Sequence, residues 1–336
     1  MAIRDYLPGI AALVAVGLVA RALSVWVVPL NHLVLAIILG MLIGNLLTIP
    51  EKLRPGLGTY KLLLEVGIVI MGARIALDEV VSNGAILIAS VLIIVSVGVL
   101  LVETLSRGVF GIAPKLSSLL AAGSSICGVS AVVAIAGSIK ANEDQIAYAV
   151  ATILLFDAIT IFAYPWVGGY LSLPDQVFGM WVGLSMYSTG PVTAAGFAYS
   201  DAAGRWAVLT KVTRNVLIGA VAIGYSLYYA HRSVDGNPDA MCGWSDHLTR
   251  LWDNFPKFVI GFVLIMILAS TGVLENDDVA SLQNGYKWLF LFAFVGLGIQ
   301  IKISEMRSTG TRPIAAVTLG LVTISSLTLV VLSVLL

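Results

Sequence analysis

The chain has 336 residues, 59% of them hydrophobic and only 11% charged, with a formal net charge of zero and a mean hydropathy of +0.98. Soluble domains carry about 25% charged residues, so this composition excludes a water-solvated globular protein, and the absence of a charge excess excludes nucleic acid or another polyanion as partner. The expected class is all-α: a polytopic protein of about 10–11 transmembrane helices, multi-pass in the cell membrane with the lipid bilayer as its solvent.

Apolar runs of roughly 20 residues cross the hydrocarbon as helices. Eleven follow one another, at 8–28, 31–49, 59–77, 83–104, 116–139, 145–169, 177–200, 206–230, 255–274, 286–304 and 312–334. Residues 1–30 are read as an extra amino-terminal span that stays in place. Its first five residues are too short and too weakly basic for a signal-peptide head, and no small-residue cleavage site follows. The remainder divides into a first half, 31–170, and a second, 177–334, within a single integral membrane domain. Within the second half lies 231–254, a hydrophilic loop holding Asp235, Asp239, Asp246, Arg250 and Asp253.

In the first run Arg21 is read as a snorkelling or interhelical group, and in the second Gly40 and Gly44 as a GxxxG face for close packing. In the third, Glu65 and Arg74 are nine residues apart, about 180° around a helix, so they do not pair. Glu65 is an ion-coupling candidate; Arg74 is an accessory charge that also suits snorkelling. The fifth run carries the densest polar cluster, Ser124-Ser125-Ile126-Cys127-Gly128-Val129-Ser130. Facing lipid, its hydroxyls would lack partners, so it fits a helix interrupted around a cavity and is the first candidate for a solute site. Cys127 suits a small buried residue there, and Cys242, in the hydrophilic loop, is too distant in this topology to pair with it.

Asp157 sits near the centre of the sixth run, where an ionised carboxylate costs about 3 kcal/mol on insertion scales and must face the bundle interior. Thr160 and Tyr164 continue its helical face and would offer it hydroxyls. A proton or cation relay and a hydrogen-bonded packing residue are both open for it. The seventh run holds Tyr187-Ser188-Thr189-Gly190-Pro191, and Gly190-Pro191 should interrupt or kink its helix. Tyr187 and Ser188 thereby join the substrate-binding candidates. Lys211 and Arg214, one turn apart in the eighth run, either attract an anionic solute or anchor the helix at headgroups. A third interruption is expected at Gly296-Leu297-Gly298-Ile299-Gln300, adding Gly298 and Gln300 to the substrate-binding set.

None of His32, His231 and His247 lies at mid-span, and no HExxH pair or Cys/His/carboxylate cluster has ligand spacing. No catalytic residue, metal or cofactor is therefore expected, and the protein is not expected to be an enzyme. If each run crosses once, twelve loop Lys and Arg fall on the amino-terminal side and six on the other. That bias puts the amino terminus in the cytoplasm and the carboxyl terminus outside. An offset of 226 matches 71–91 with 297–317, including Gly72/Gly298, Glu79/Glu305 and Gly84/Gly310, and relates the third and tenth runs. A weaker match at offset 60 pairs Ser125/Ser185, Val132/Val192 and Ala134/Ala194, and relates the fifth and seventh.

The stretch 123–131, with Ile139-Lys140-Ala141, closely resembles the SICG-x-SA signature of the YeiH family of sulfate exporters. Further resemblances follow in order at 67–72, Tyr164-Pro165, 192–196, Lys211-Val212-Thr213-Arg214, 255–258 and 296–298, so that most of the chain, from about Leu35 to Arg312, is covered. The family is similar to bile-acid-symporter-type carriers. That resemblance implies inverted repeats, panel and core domains, and two discontinuous crossing helices, here the fifth and tenth runs around Gly128 and Gly298, with Gln300 beside the second break. It also implies secondary active transport of a small inorganic or organic anion, exemplified by sulfate export, by alternating access. A proton or Na+ is the coupling candidate, and a homodimer is compatible. A passive anion channel and a sodium-coupled transporter of an organic anion are the alternatives. The chain departs from the family where it commonly shows a His-Glu pair and a Gln, having Tyr187, Ser188 and Pro191, and it has Asp157 where a small residue is usual.

Overall fold

The computed structural model describes residues 3–26, 31–75, 77–232, 256–302, 304 and 310–335. Backbone in hydrocarbon has no water to bond, so it must satisfy its own polar groups. Every regular element among the described residues is accordingly a helix. In chain order these are α1 (Leu7–Trp26), α2 (His32–Leu46), α3 (Tyr60–Met71), α4 (Leu77–Thr104), α5 (Pro114–Ser125), α6 (Val129–Ile139), α7 (Glu143–Tyr170), α8 (Asp175–Ser185), α9 (Thr189–Tyr199), α10 (Asp201–Asn215), α11 (Ile218–Arg232), α12 (Phe258–Ser270), α13 (Asn276–Gln300) and α14 (Thr311–Leu335). Six helical stretches among the described residues are long and apolar enough to cross a bilayer, and the protein is a polytopic membrane protein. Large apolar side chains stay exposed along them, as at Leu92, Ile93 and Leu100 of α4, where acyl chains replace water.

The chain divides into two units, each gathered from separate segments. One comprises Met1–Ala85, Thr193–Arg205 and Lys257–Ser304; the other comprises Ile86–Val192, Trp206–Pro256 and Glu305–Leu336.

The first unit is built on glycine-mediated contact of α2 with α13. A Cβ added at Gly298 would stand 2.9 Å from the Met41 nitrogen, and one at Gly44 the same distance from Ile299 Cα. The Gly40 and Gly44 face is thus a packing face, as expected. Asn31 caps α2, accepting from Leu33 N at 3.0 Å while its amide donates to Phe197 O at 2.9 Å. Phe197, Tyr286, Phe290 and Phe294 fill the interior as a chain of ring contacts.

The second unit departs most from simple crossing helices. Lys115 Nζ donates to Lys140 O at 2.7 Å, and a Cβ on Gly123 would meet Val132 Cγ2 at 2.7 Å. The fifth run is therefore a helical hairpin, α5 and α6 folded back on each other, and not a single crossing. Because it returns to the side it entered from, the tally of basic residues that assumed eleven crossings no longer fixes the sides of the termini. The hairpin packs on α7, whose start is fixed by a capping box: Gln145 N donates to Asn142 Oδ1 at 2.9 Å and Asn142 N to Gln145 Oε1 at 3.2 Å. α8 packs on α14, tied by Trp181 Nε1 to Ser325 Oγ at 2.9 Å.

Two further expectations are corrected. The tenth run is not broken at Gly298, because α13 runs unbroken through 296–298 to Gln300; the glycines serve close packing instead. The broken pair is the fifth and seventh runs, interrupted at 126–128 and 186–188. A shift of 60 superposes the two breaks residue for residue: α5 ends at Ser125 and α8 at Ser185, α6 begins at Val129 and α9 at Thr189. The offset-226 match loses part of its second copy, Glu305 included, to positions outside the described residues, where the loop from residue 233 to 254 with Cys242 also lies.

Replacing Gly298 with Leu should force α13 off α2 and cost about 1–3 kcal/mol as an overpacking change. A lowered thermal unfolding midpoint of the detergent-purified protein checks this, with Gly285→Leu, which has open space around its Cβ, as the control.

Candidate functional site

The site is the pair of helix interruptions in the second unit. At 126–128 the helix is stopped by backbone geometry: Ile126 has φ −120° and ψ −81°, and Gly128 has φ +66° and ψ −131°, a region that only glycine occupies without strain. Gly128 N turns back to Gly123 O at 2.9 Å. A Cβ on Gly128 would overlap the Ser188 hydroxyl, so the glycine also brings the two interruptions into contact. In the seventh run the break precedes Gly190-Pro191. Pro191 is the third residue of α9, in the first turn, where its missing N–H is no loss.

A helix end leaves its last carbonyls without intrahelical donors. Here both C-terminal ends are buried, and two cations one turn apart on α10 serve them. Arg214 Nε donates to Ser125 O at 2.7 Å and Nη2 to Ser124 O at 2.8 Å. Its Nη1 donates to Leu184 O at 2.8 Å, Met186 O at 2.7 Å and Gly183 O at 3.2 Å. Lys211 Nζ donates to Ile126 O at 2.7 Å, to Met186 O at 3.3 Å and to Tyr187 O. Lys211 is 0% and Arg214 1% exposed. Both cations are thus buried away from headgroups and donate to main-chain oxygens at the two helix breaks, where their positive charges face the negative dipole ends.

The N-terminal side is served by the opposite charge. Asp157, 3% exposed on α7, accepts Ser188 N at 3.0 Å through Oδ1, placing a carboxylate at the positive end of α9. The Ser188 hydroxyl lies beside the same carboxylate and adds a side-chain interaction with it. Thr160 does not serve Asp157 as expected, since its hydroxyl bonds Phe156 O at 2.7 Å, and Tyr164 stacks on Trp181 with centroids 4.3 Å apart.

The remaining candidates separate clearly. Ser124, Ser125, Cys127, Gly128 and Tyr187 are buried at the junction and Ser188 is half-buried there. The Ser124 hydroxyl, however, bonds its own helix at Leu120 O, 2.7 Å away, and Ser130 is exposed on the first turn of α6. Cys127 is a free, buried thiol. Gly298 lies in the α13 packing face of the first unit, where Gln300 ends its helix exposed; neither marks a helix interruption. Glu65 and Arg74 are exposed side chains of the first unit. Two contributors carry no polar motif of their own in the sequence. Asn215 donates to Thr189 Oγ1 at 3.2 Å, and Gly183 lets α8 approach α10, where a Cβ would meet Thr210 Cβ at 2.6 Å. Their one signal is spacing, Asn215 standing one turn past Lys211 on the same helix. Beside the junction, Ser124, Ser125, Ser185, Tyr187 and Arg214 border a cavity of about 10 Å³, room for about one water molecule.

The family model described as Conserved hypothetical protein 698 matches residues 8–317. This chain belongs to that family. A relative named UPF0324 membrane protein from Nitratidesulfovibrio vulgaris is 32% identical over 92% of this chain and 88% of its own length. Another of that name from Bartonella henselae is 30% identical over 94% and 89%, and one from Clostridium tetani is 29% identical over 83% and 82%. No solved structure matches. The matched span takes in both helix interruptions and α10.

Replacing Arg214 with Met strands several buried carbonyls and should cost about 3–5 kcal/mol. Arg214→Lys should recover only part, since a single ammonium does not span the fork of acceptors. Thermal unfolding of the purified variants measures both. Gly128→Ala, opposed by φ and by Ser188, should destabilise by about 1–3 kcal/mol, whereas Gly137→Ala, with open space around its Cβ, should not.

Proposed function

We propose that this protein is a secondary active transporter of a small anionic solute, working by alternating access, with sulfate, related oxyanions and organosulfonates as the solute class. The observation that carries this reading is the pair of helices broken at matched positions, with Gly128 against Ser188. Broken helices at membrane depth are tolerated only inside protein or around a cavity, and in secondary transporters they form the solute site.

Charge supports an anion. Each helix end carries about half an elementary charge, so the two N-terminal ends, of α6 and α9, offset the two C-terminal ends, of α5 and α8. What is left is Lys211 and Arg214 against the single carboxylate of Asp157, an excess of about one positive charge that an anionic solute would neutralise. The water-sized cavity beside Arg214 is too small for an oxyanion, so loading requires the helix ends to separate, as alternating access supplies. Asp157, a buried carboxylate beside the second helix break, is the group we assign to exchange a proton or Na+ with the cycle. The resemblance of 123–131 to the sulfate-exporter signature makes sulfate the first solute to test, and we place the protein in the cell membrane on the same reading.

The test is uptake of labelled sulfate, sulfite and taurine by vesicles reconstituted with the purified protein, with and without an imposed proton or sodium gradient. Saturable uptake accelerated by one gradient is expected, and Asp157→Asn should lose the acceleration while retaining solute exchange. Uptake indifferent to both gradients would make the protein a passive channel; no uptake of any anion would remove the reading.

A further inference from the structure

We propose that the first unit binds the phosphate headgroup of an anionic phospholipid, through a cluster of Arg21, His32, Arg74, Arg205 and Lys287. In the sequence these are isolated basic residues on five segments, each explicable as a lone snorkelling group. The fold collects them. Arg21, Lys287 and Asp201 lie within electrostatic range of His32, and Arg74, Arg205 and Asp201 within range of the Tyr286 hydroxyl. Lys287 Nζ is 2.5 Å from Asp201 Oδ2. Arg21 lies over the Trp288 ring, 4.3 Å from its centroid.

Four permanent cations thus gather near one carboxylate, Asp201, which pairs with Lys287, in a chain whose net charge is zero. Like charges gathered at the surface repel unless a counter-anion joins them, and guanidinium groups match phosphate oxygens in shape as well as sign. Arg205 is held at the cluster through the buried Tyr286 hydroxyl, which bonds its side chain.

The neighbouring surface selects a lipid over a free ion. Val25, one turn beyond Arg21 on α1, is 73% exposed and Trp26 is 86% exposed. Apolar side chains and a tryptophan following a cationic group at a helix end fit the boundary between headgroups and acyl chains. Inorganic phosphate would leave them bare. The proposal does not rest on transport, since all these residues belong to the first unit and the helix interruptions to the second.

The experiment follows thermal unfolding of the full chain, purified in detergent, with added phosphatidylglycerol, phosphatidylcholine of the same acyl chains, or inorganic phosphate. Phosphatidylglycerol should raise the midpoint by about 3–5 °C, and the other two by less than about 1 °C. The Arg21→Gln/Lys287→Gln double variant should lose that increment. Because Arg21 also stacks on Trp288, the Arg74→Gln/Arg205→Gln pair provides a second reading in which lipid binding is lost from a protein that still melts cooperatively. An equal rise with phosphatidylcholine or with inorganic phosphate overturns the headgroup assignment. An increment that survives in both double variants overturns the placement.

Discussion

The structure depends on how a helix can be cut inside a bilayer. Each cut exposes carbonyls that water cannot reach, and an unmet carbonyl there costs more than the helix gains elsewhere. Lys211 and Arg214 meet that demand with the forked donors of a guanidinium and the freely rotating donors of an ammonium, both aimed from one face of α10. Burying two cations is itself costly and is tolerated only with every donor occupied and an opposite charge nearby. The C-terminal dipoles of α5 and α8 provide the opposite charge.

From that constraint the rest of the second unit follows. The fifth run folds back as a hairpin so that its tip, and not a helix end at the interface, reaches the two cations. Gly128 is required twice, by its backbone angles and by the Ser188 hydroxyl that occupies the place of a side chain. Asp157 completes the arrangement from α7 by taking the Ser188 N–H. Cations stand at the C-terminal ends and a carboxylate at one N-terminal end, each opposite in sign to the dipole it faces. Such a junction holds two half-helices in register through polar contacts to the main chain.

The first unit is stabilised by a different means. Its interior is apolar, with glycines bringing α2 and α13 to backbone contact and a ladder of aromatic rings beside them. One group of its charged side chains gathers around Asp201. One unit thus carries buried charge tied to the main chain, and the other has an apolar interior.

Composition and the length of the apolar runs determined the all-helical membrane class, because only a self-bonded backbone survives in hydrocarbon, and residue type alone marked the neighbourhood of the breaks: glycine with serines at 124–130, and serine, glycine and proline at 187–191. The offset of 60 between those motifs was legible too, though weak against the chance matches of an apolar chain. What sequence could not assign was direction and partner. A run of 24 apolar residues reads the same whether it crosses or folds back, since both bury it equally, and Gly298 reads as a break or as a packing face because glycine serves both. Lys211 and Arg214 are cations in any reading; only the tertiary structure decided that their partners are carbonyls on two other helices, 24 to 90 residues away, since a hydrogen bond is set by position in space and leaves no trace in local spacing.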